Sequence, residues 1–173
     1  TSRAEAAARS FRDNAADWEK LRSLHVREED VEAAMLRLAG DAPVRLLVDL
    51  GTGTGSVLQS FAARAAQAVG IDTSREMLAI ARANIEKSGH RHIQVRHGDI
   101  YALPFADASA DAVTIHQVLH FLDDPARVLN EAARILQPGG RLLAVDFAPH
   151  DLEQLRAEHA HRRLGIAAEH MAH

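Results

Sequence analysis

The sequence contains no cysteine. That absence excludes disulfides, thiolate zinc sites and cysteine nucleophiles together, and it suits a cytoplasmic protein. Lysine is nearly missing too: only Lys20 and Lys87 stand beside a large arginine complement, a bias we read as genomic composition of a GC-rich bacterium rather than function. No apolar run approaches the roughly 18 residues that a membrane-spanning helix needs. The opening Thr1-Ser2-Arg3-Ala4-Glu5 is mixed in charge and does not read as a signal peptide. It also lacks an initiator Met, as a piece of a longer chain would. A basic excess is absent, since the net charge is -4. Duplex-binding modules are usually basic, so no nucleic-acid partner is expected of this chain.

What is present describes an ordinary globular protein. The 173 residues suit one domain, and 47% hydrophobic with 25% charged residues is unlike disordered or collagen-like chains. Residues 3–39 are rich in Ala and Arg, lack Gly and Pro, and place Val31, Met35, Leu36 and Leu38 at helical spacing. Asp41-Ala42-Pro43 breaks that pattern. We therefore divide the chain into a helical cap over 1–42 and a main domain over 43–173.

The main domain alternates strand and helix patterns. Strands are predicted at 44–50, 65–71, 92–97, 111–116 and 141–147. Helices are predicted from 56 to 64, from an N-cap at Thr73 or Ser74 to a stop at Gly89, and from Pro125, behind Asp124, to the Pro138-Gly139-Gly140 run. Residues from 151 onward read as a polar, His-rich helix. Such alternation implies an α/β fold, a doubly wound Rossmann-like, mostly parallel sheet with helices on both faces. Ligands of these sheets bind beyond the carboxyl ends of the strands, near the switch point after the first. Leu103, Phe105, Val113, Ile115 and Val145 are assigned to the core.

At that place stands Asp49-Leu50-Gly51-Thr52-Gly53-Thr54-Gly55. Glycines let a backbone turn sharply and approach a ligand closely. The dinucleotide fingerprint would need a glycine at position 56, where Ser56 stands. Asp72 follows at the end of the second strand pattern, where a carboxylate can accept both hydroxyls of a ribose. We expect Asp72 at an open ligand edge. The competing reading is a tight structural turn with Asp72 as a helix cap.

The run resembles the first motif of the class I S-adenosylmethionine-dependent methyltransferases. Three more segments resemble that family in order: Val69-Gly70-Ile71-Asp72-Thr73-Ser74 with Met77-Leu78, Gly98-Asp99-Ile100-Tyr101-Ala102-Leu103-Pro104-Phe105, and Leu136-Gln137-Pro138-Gly139-Gly140-Arg141-Leu142. Ile115-His116-Gln117-Val118-Leu119-His120, Asp146-Phe147-Ala148-Pro149-His150 and the tail around Glu158-His159-Ala160-His161 are similar to a bacterial group that carries an ArsR-type winged helix before the methyltransferase domain. Ala110 departs from the family's usual Phe, which bears on packing more than chemistry. The resemblance implies a sheet order 3-2-1-4-5 and S-adenosylmethionine as cofactor, with S-adenosylhomocysteine as product. It implies a donor site of Asp49, Gly51, Thr52, Gly53, Gly55, Asp72, Thr73, Met77, Gly98, Asp99, Ile100, His116 and Gln117. Asp72 would hold the ribose and Asp99 the adenine amine, with Met77 and Ile100 beside the ring.

Methyl transfer from a sulfonium is chiefly a matter of positioning, with a base added where the acceptor must lose a proton. His116, His120 and His150 are the candidate bases. His116 and His120 would share a face if a helical turn follows the fourth strand. The remaining histidines show no metal-ligand signature, and His90, His92 and His97 read as structural or surface groups. Trp18 could cover a sulfonium with its ring face or simply anchor its helix.

Three functions are compatible with these residues to different degrees. A small-molecule methyltransferase accounts for all four segments. A nicotinamide oxidoreductase is weakened by Ser56. A sensory module that binds S-adenosylmethionine for a fused regulator, without turnover, shares the donor motifs. Arsenite is disfavoured as acceptor because the arsenic-methylating relatives use cysteines. The family usually adds two strands beyond the fifth, and 151–173 offers none. We therefore expect an incomplete carboxyl-terminal part, with the fifth strand's edge covered by further chain or by a homodimer partner.

Overall fold

The computed structural model describes residues 28–116 and 122–145. The order is α1 (Glu28–Ala39), β1 (Val44–Leu50), α2 (Ser56–Ser60), β2 (Ala65–Asp72), α3 (Arg75–Ser88), β3 (Ile93–His97), β4 (Ala110–His116), α4 (Pro125–Ile135) and β5 (Leu136–Val145). Trp18 lies outside the described residues. None of the described helices is long and apolar enough to cross a membrane.

The strands form one sheet in the order β3-β2-β1-β4-β5, and every neighbouring pair is parallel. This is the Rossmann-like arrangement expected from the alternation. Near-continuous apolar strands are buried on both faces, as parallel sheets require. On one face, Val31 and Met35 of α1, Val57 and Leu58 of α2, Phe61, and Leu78, Ala81 and Ile85 of α3 pack on Leu47, Ala68 and Leu143. On the other, Val128, Ala132 and Ile135 of α4 join Ile100 and Leu103 against Val48, Ile71, Val113 and Ile115.

Local chemistry explains the helix ends. Ser74 caps α3 by accepting from Met77 N at 3.2 Å, and Gly89 closes it in the left-handed region. Asp124 caps α4 by accepting from Arg127 N, with Pro125 at the first turn. Two arginines hold the end of α1: Arg64 donates to the carbonyls of Leu36 and Gly40, and Arg141 to that of Leu38. These carbonyls lack intrahelical donors, which makes them natural partners for a guanidinium.

Two helix ends differ from expectation. The helix expected over 56–64 is one turn, Ser56–Ser60. Backbone bonds from Arg64 N and Ala65 N to Phe61 O turn the chain directly into β2. α4 ends at Ile135, not at Pro138-Gly139-Gly140, because Leu136 is already extended and pairs with Ala110. Pairing resumes at Arg141 opposite Ala112, so the Pro-Gly-Gly run is an irregularity inside β5. A Cβ on Gly140 would lie 2.9 Å from Gln137 O and 3.0 Å from Asp111 O, which only glycine tolerates. Among the described residues β5 is an edge strand, yet its side chains from Leu142 to Val145 are buried by the helices on either face.

Candidate functional site

The registers bring the predicted residues to one edge. Leu50 pairs with Ile71 on one side and Ile115 on the other, Asp72 pairs with His97, and His116 with Val145. The carboxyl ends of all five strands therefore lie together, with the loop after β1 at the switch point between β2 and β4.

That loop is held by its main chain. Gly51, Gly53 and Gly55 all adopt left-handed φ values of 69°, 56° and 83°, a conformation costly for residues with a Cβ. Gly51 N and Thr52 N both donate to Ile71 O, at 2.8 and 3.1 Å. Gly53 N donates to Asp72 Oδ2 at 2.8 Å, and Asn84 of α3 donates to Thr54 O. A Cβ added at Gly53 would meet no atom within 4 Å, although Gly53 itself is buried. Such a glycine faces space that a closely approaching ligand can use, which fits a donor molecule at this loop.

Asp72 is not at an open edge. It is 9% exposed, and its other oxygen, Oδ1, accepts from Ser74 N at 2.8 Å. The carboxylate thus joins the glycine loop to the start of α3, while Ser74 is the cap. Burial pushes the Asp72 carboxyl above its ordinary value, against the backbone donors of Ser74, Gly53 and Thr73 and the field of His97. A carboxylate offers roughly four lone-pair positions, and Gly53 N and Ser74 N occupy two of them.

The other predicted residues take distinct places. Asp49 is buried and accepts from Thr114 Oγ1 at 2.7 Å. Thr52 turns its side chain onto β2, so what it offers a ligand is main chain. Its Oγ1 is buried with no hydrogen-bond partner among the described residues. Thr73 lies between Asp72 and the cap Ser74. Met77 and Ile100 are buried, at 1% and 6% exposure, before any ligand arrives. Gly98 N bonds to Asp72 O. Asp99 is exposed, and its Oδ1 accepts from Tyr101 N at 2.8 Å. His116 is buried at the end of β4. Gln117, His120 and His150 lie outside the described residues.

Sequence reasoning missed a brace behind Asp99. Glu131 Oε1 accepts from Leu103 N at 2.7 Å. Arg134 pairs with Glu131 and Asp107 and donates to the carbonyls of Leu103 and Phe105. The paired Arg134 guanidinium holds the Glu131 carboxyl below its ordinary value. Nothing local signals this contact, since the partners lie about thirty residues apart in sequence. His92 is structural as read: its Nε2 lies 2.7 Å from Ala62 O.

The chain is similar to known proteins in sequence and in fold. The demethylmenaquinone methyltransferase of Thermus thermophilus is 43% identical over 110 residues, covering 62% of this chain and 49% of that protein. An uncharacterized methyltransferase of Bacillus subtilis, YcgJ, is 30% identical over 118 residues, covering 68% and 47%. Its crystal structure superposes with a TM-score of 0.67 over 74% of this chain and 56% of that one, at 25% identity. A putative methyltransferase from Bacillus halodurans superposes with a TM-score of 0.63 at 34% identity, over 68% and 51%. The chain spans about half the length of the curated relatives it matches. A family described as a methyltransferase domain matches residues 48–144, more than half of the chain. The chain therefore belongs to the methyltransferase-domain family, the class I S-adenosylmethionine-dependent methyltransferases, whose cofactor is S-adenosylmethionine.

Proposed function

We propose that this chain binds S-adenosylmethionine over the Gly51–Gly55 loop and takes part in transferring its methyl group to a small-molecule acceptor. The observation that carries the reading is the buried loop of three left-handed glycines bonded to Asp72 at the switch point. Bound there, the cofactor supplies a sulfonium methyl as electrophile. The protein's own part is orientation, which can supply ~7–11 kcal/mol where reacting atoms are well aligned. Asp72 holds the ribose through its remaining lone pairs, while Gly53 keeps the carboxylate aimed. The exposed carboxylate of Asp99 meets the adenine amine, with Met77 and Ile100 as the ring's apolar neighbours. Asp49 and the loop's main chain line the amino-acid end of the donor.

His116 ends β4 at the same edge and is our first candidate for a base that relieves the acceptor of a proton. His120 and His150, outside the described residues, are the others. Demethylmenaquinone methyltransferases among the relatives make a reduced quinone ring a first acceptor to try. Calorimetry with S-adenosylhomocysteine, S-adenosylmethionine and NAD tests the donor. Tight NAD binding with none for S-adenosylhomocysteine overturns the reading. Release of S-adenosylhomocysteine over a panel of quinols, phenols and amines tests transfer. Binding without release across that panel favours a sensory module over an enzyme.

A further inference from the structure

Gly70 of β2 needs to be glycine for a reason of space, not of backbone conformation. Its φ lies outside the left-handed region, where Gly51, Gly53 and Gly55 all sit. Yet a Cβ on Gly70 would lie 2.4 Å from Thr52 Oγ1, 2.6 Å from Thr52 Cβ and 2.7 Å from Thr52 Cγ2. The Thr52 side chain occupies the volume that a side chain at position 70 would take. Close-packed interiors do not absorb such an overlap without a shift.

The strand is the less yielding partner. Gly70 pairs with Asp49 on β1 and with Val95 on β3. Its neighbours Val69 and Ile71 are buried at 3% and 0% exposure. The loop carrying Thr52 rests on β2 by three bonds, from Gly51 N and Thr52 N to Ile71 O and from Gly53 N to Asp72 Oδ2. All three require the loop to sit at its present height over β2. Thr52 Oγ1 has no hydrogen-bond partner among the described residues, so shape rather than polarity seats it there.

We infer that Gly70 is a positioning residue for the donor site: the side chain missing from β2 receives Thr52, and so sets the height at which the glycine loop meets Asp72. Gly70 touches no donor itself. The inference rests on the donor site proposed above.

Gly70→Ala lifts the loop. Its S-adenosylhomocysteine dissociation constant should rise at least tenfold, and the Gly53 amide should exchange faster with solvent in the unliganded protein. Adding Thr52→Gly removes all three overlapping atoms. The double variant should regain Gly53 protection and bind at least threefold tighter than Gly70→Ala, whereas Thr52→Gly alone should bind no tighter than the native chain. This sign reversal is the coupling a double-mutant cycle reads. Native affinity in Gly70→Ala overturns the inference, and so does a loss that Thr52→Gly leaves intact. If Gly70→Ala does not fold, the double variant decides: folding with donor binding supports the inference, and failure to fold overturns it. Amide exchange is measured without ligand, so a native chain that binds no S-adenosylhomocysteine refutes the donor site while the Gly70–Thr52 contact is still judged by Gly53.

Discussion

Thr114 on β4 donates its hydroxyl to Asp49 Oδ1 on β1 at 2.7 Å, and the two residues are direct register partners buried at the switch point. The bond spans the line where β2 and β3 lie to one side and β4 and β5 to the other. It gives a carboxylate at the root of the glycine loop a fixed orientation. Removing a donor from a buried charged acceptor costs ~1.5–3 kcal/mol. Thr114→Val should therefore lower the unfolding free energy in urea by that order, and Thr114→Ser, which keeps the hydroxyl, should recover most of the loss. Equal losses in both variants would show that the hydroxyl's bond to Asp49 does not carry the effect.

Asp72 should serve the fold and the donor at once. Because Gly53 N and Ser74 N both end on its carboxylate, Asp72→Ala leaves two buried donors without their acceptor, at ~1–3 kcal/mol each. The same change should weaken S-adenosylhomocysteine binding by ~1.5–3 kcal/mol, the scale for hydrogen bonds to a charged group. Calorimetry beside thermal unfolding separates the two. A lowered melting temperature with unchanged affinity would leave Asp72 as a structural link only.

The raised value of the Asp72 carboxyl carries a definite pH signature. A raised acid binds more protons when folded than when unfolded, so stability falls as pH rises between its unfolded and folded values. The penalty is complete above the folded value and absent below the unfolded one. Asp72→Asn does not titrate there, so the stability advantage of the native chain over it should shrink as pH rises through that interval. Donor affinity should run the other way, since the diol needs the carboxylate, and should decline as pH falls through the interval. Urea unfolding at a series of pH values checks the first trend; a gap that widens with rising pH would have the wrong sign.

The Glu131–Arg134 brace should act on order more than on global stability. Arg134 donates to the Leu103 and Phe105 carbonyls and to Asp107. Arg134→Met should speed amide exchange across 103–107 and raise the dissociation constant for S-adenosylhomocysteine several-fold, with a small change in melting temperature. Unchanged exchange in that segment would show that the apolar contacts of Leu103 and Ile100 hold it without the guanidinium.

Much of this was legible because the signals are local. The apolar run between Pro43 and Gly51 marked β1. Ser74, Gly89, Asp124 and Pro125 carried the ends of α3 and α4 in their own side chains or lack of them. The spaced glycines with Asp49 and Asp72 marked a candidate ligand loop and, through the family resemblance, pointed to the family's cofactor. Pro138-Gly139-Gly140 misled because a helix stop and a strand irregularity use the same residues. The pairing of Leu136 with Ala110 chooses between them.

Composition, periodicity and the order of motifs along the chain determined the fold class, the strand edge of the proposed site and the family. Those properties depend on which residues neighbour one another in sequence. The tertiary structure alone decided that Asp72 is buried and already engaged, that Thr114 faces Asp49, that Arg134 braces the segment after Asp99, and that Thr52 fills the space Gly70 leaves empty. Each of these is a distance between residues at least 18 positions apart, or a burial those distances create. Register and packing set such distances, and no local pattern encodes them.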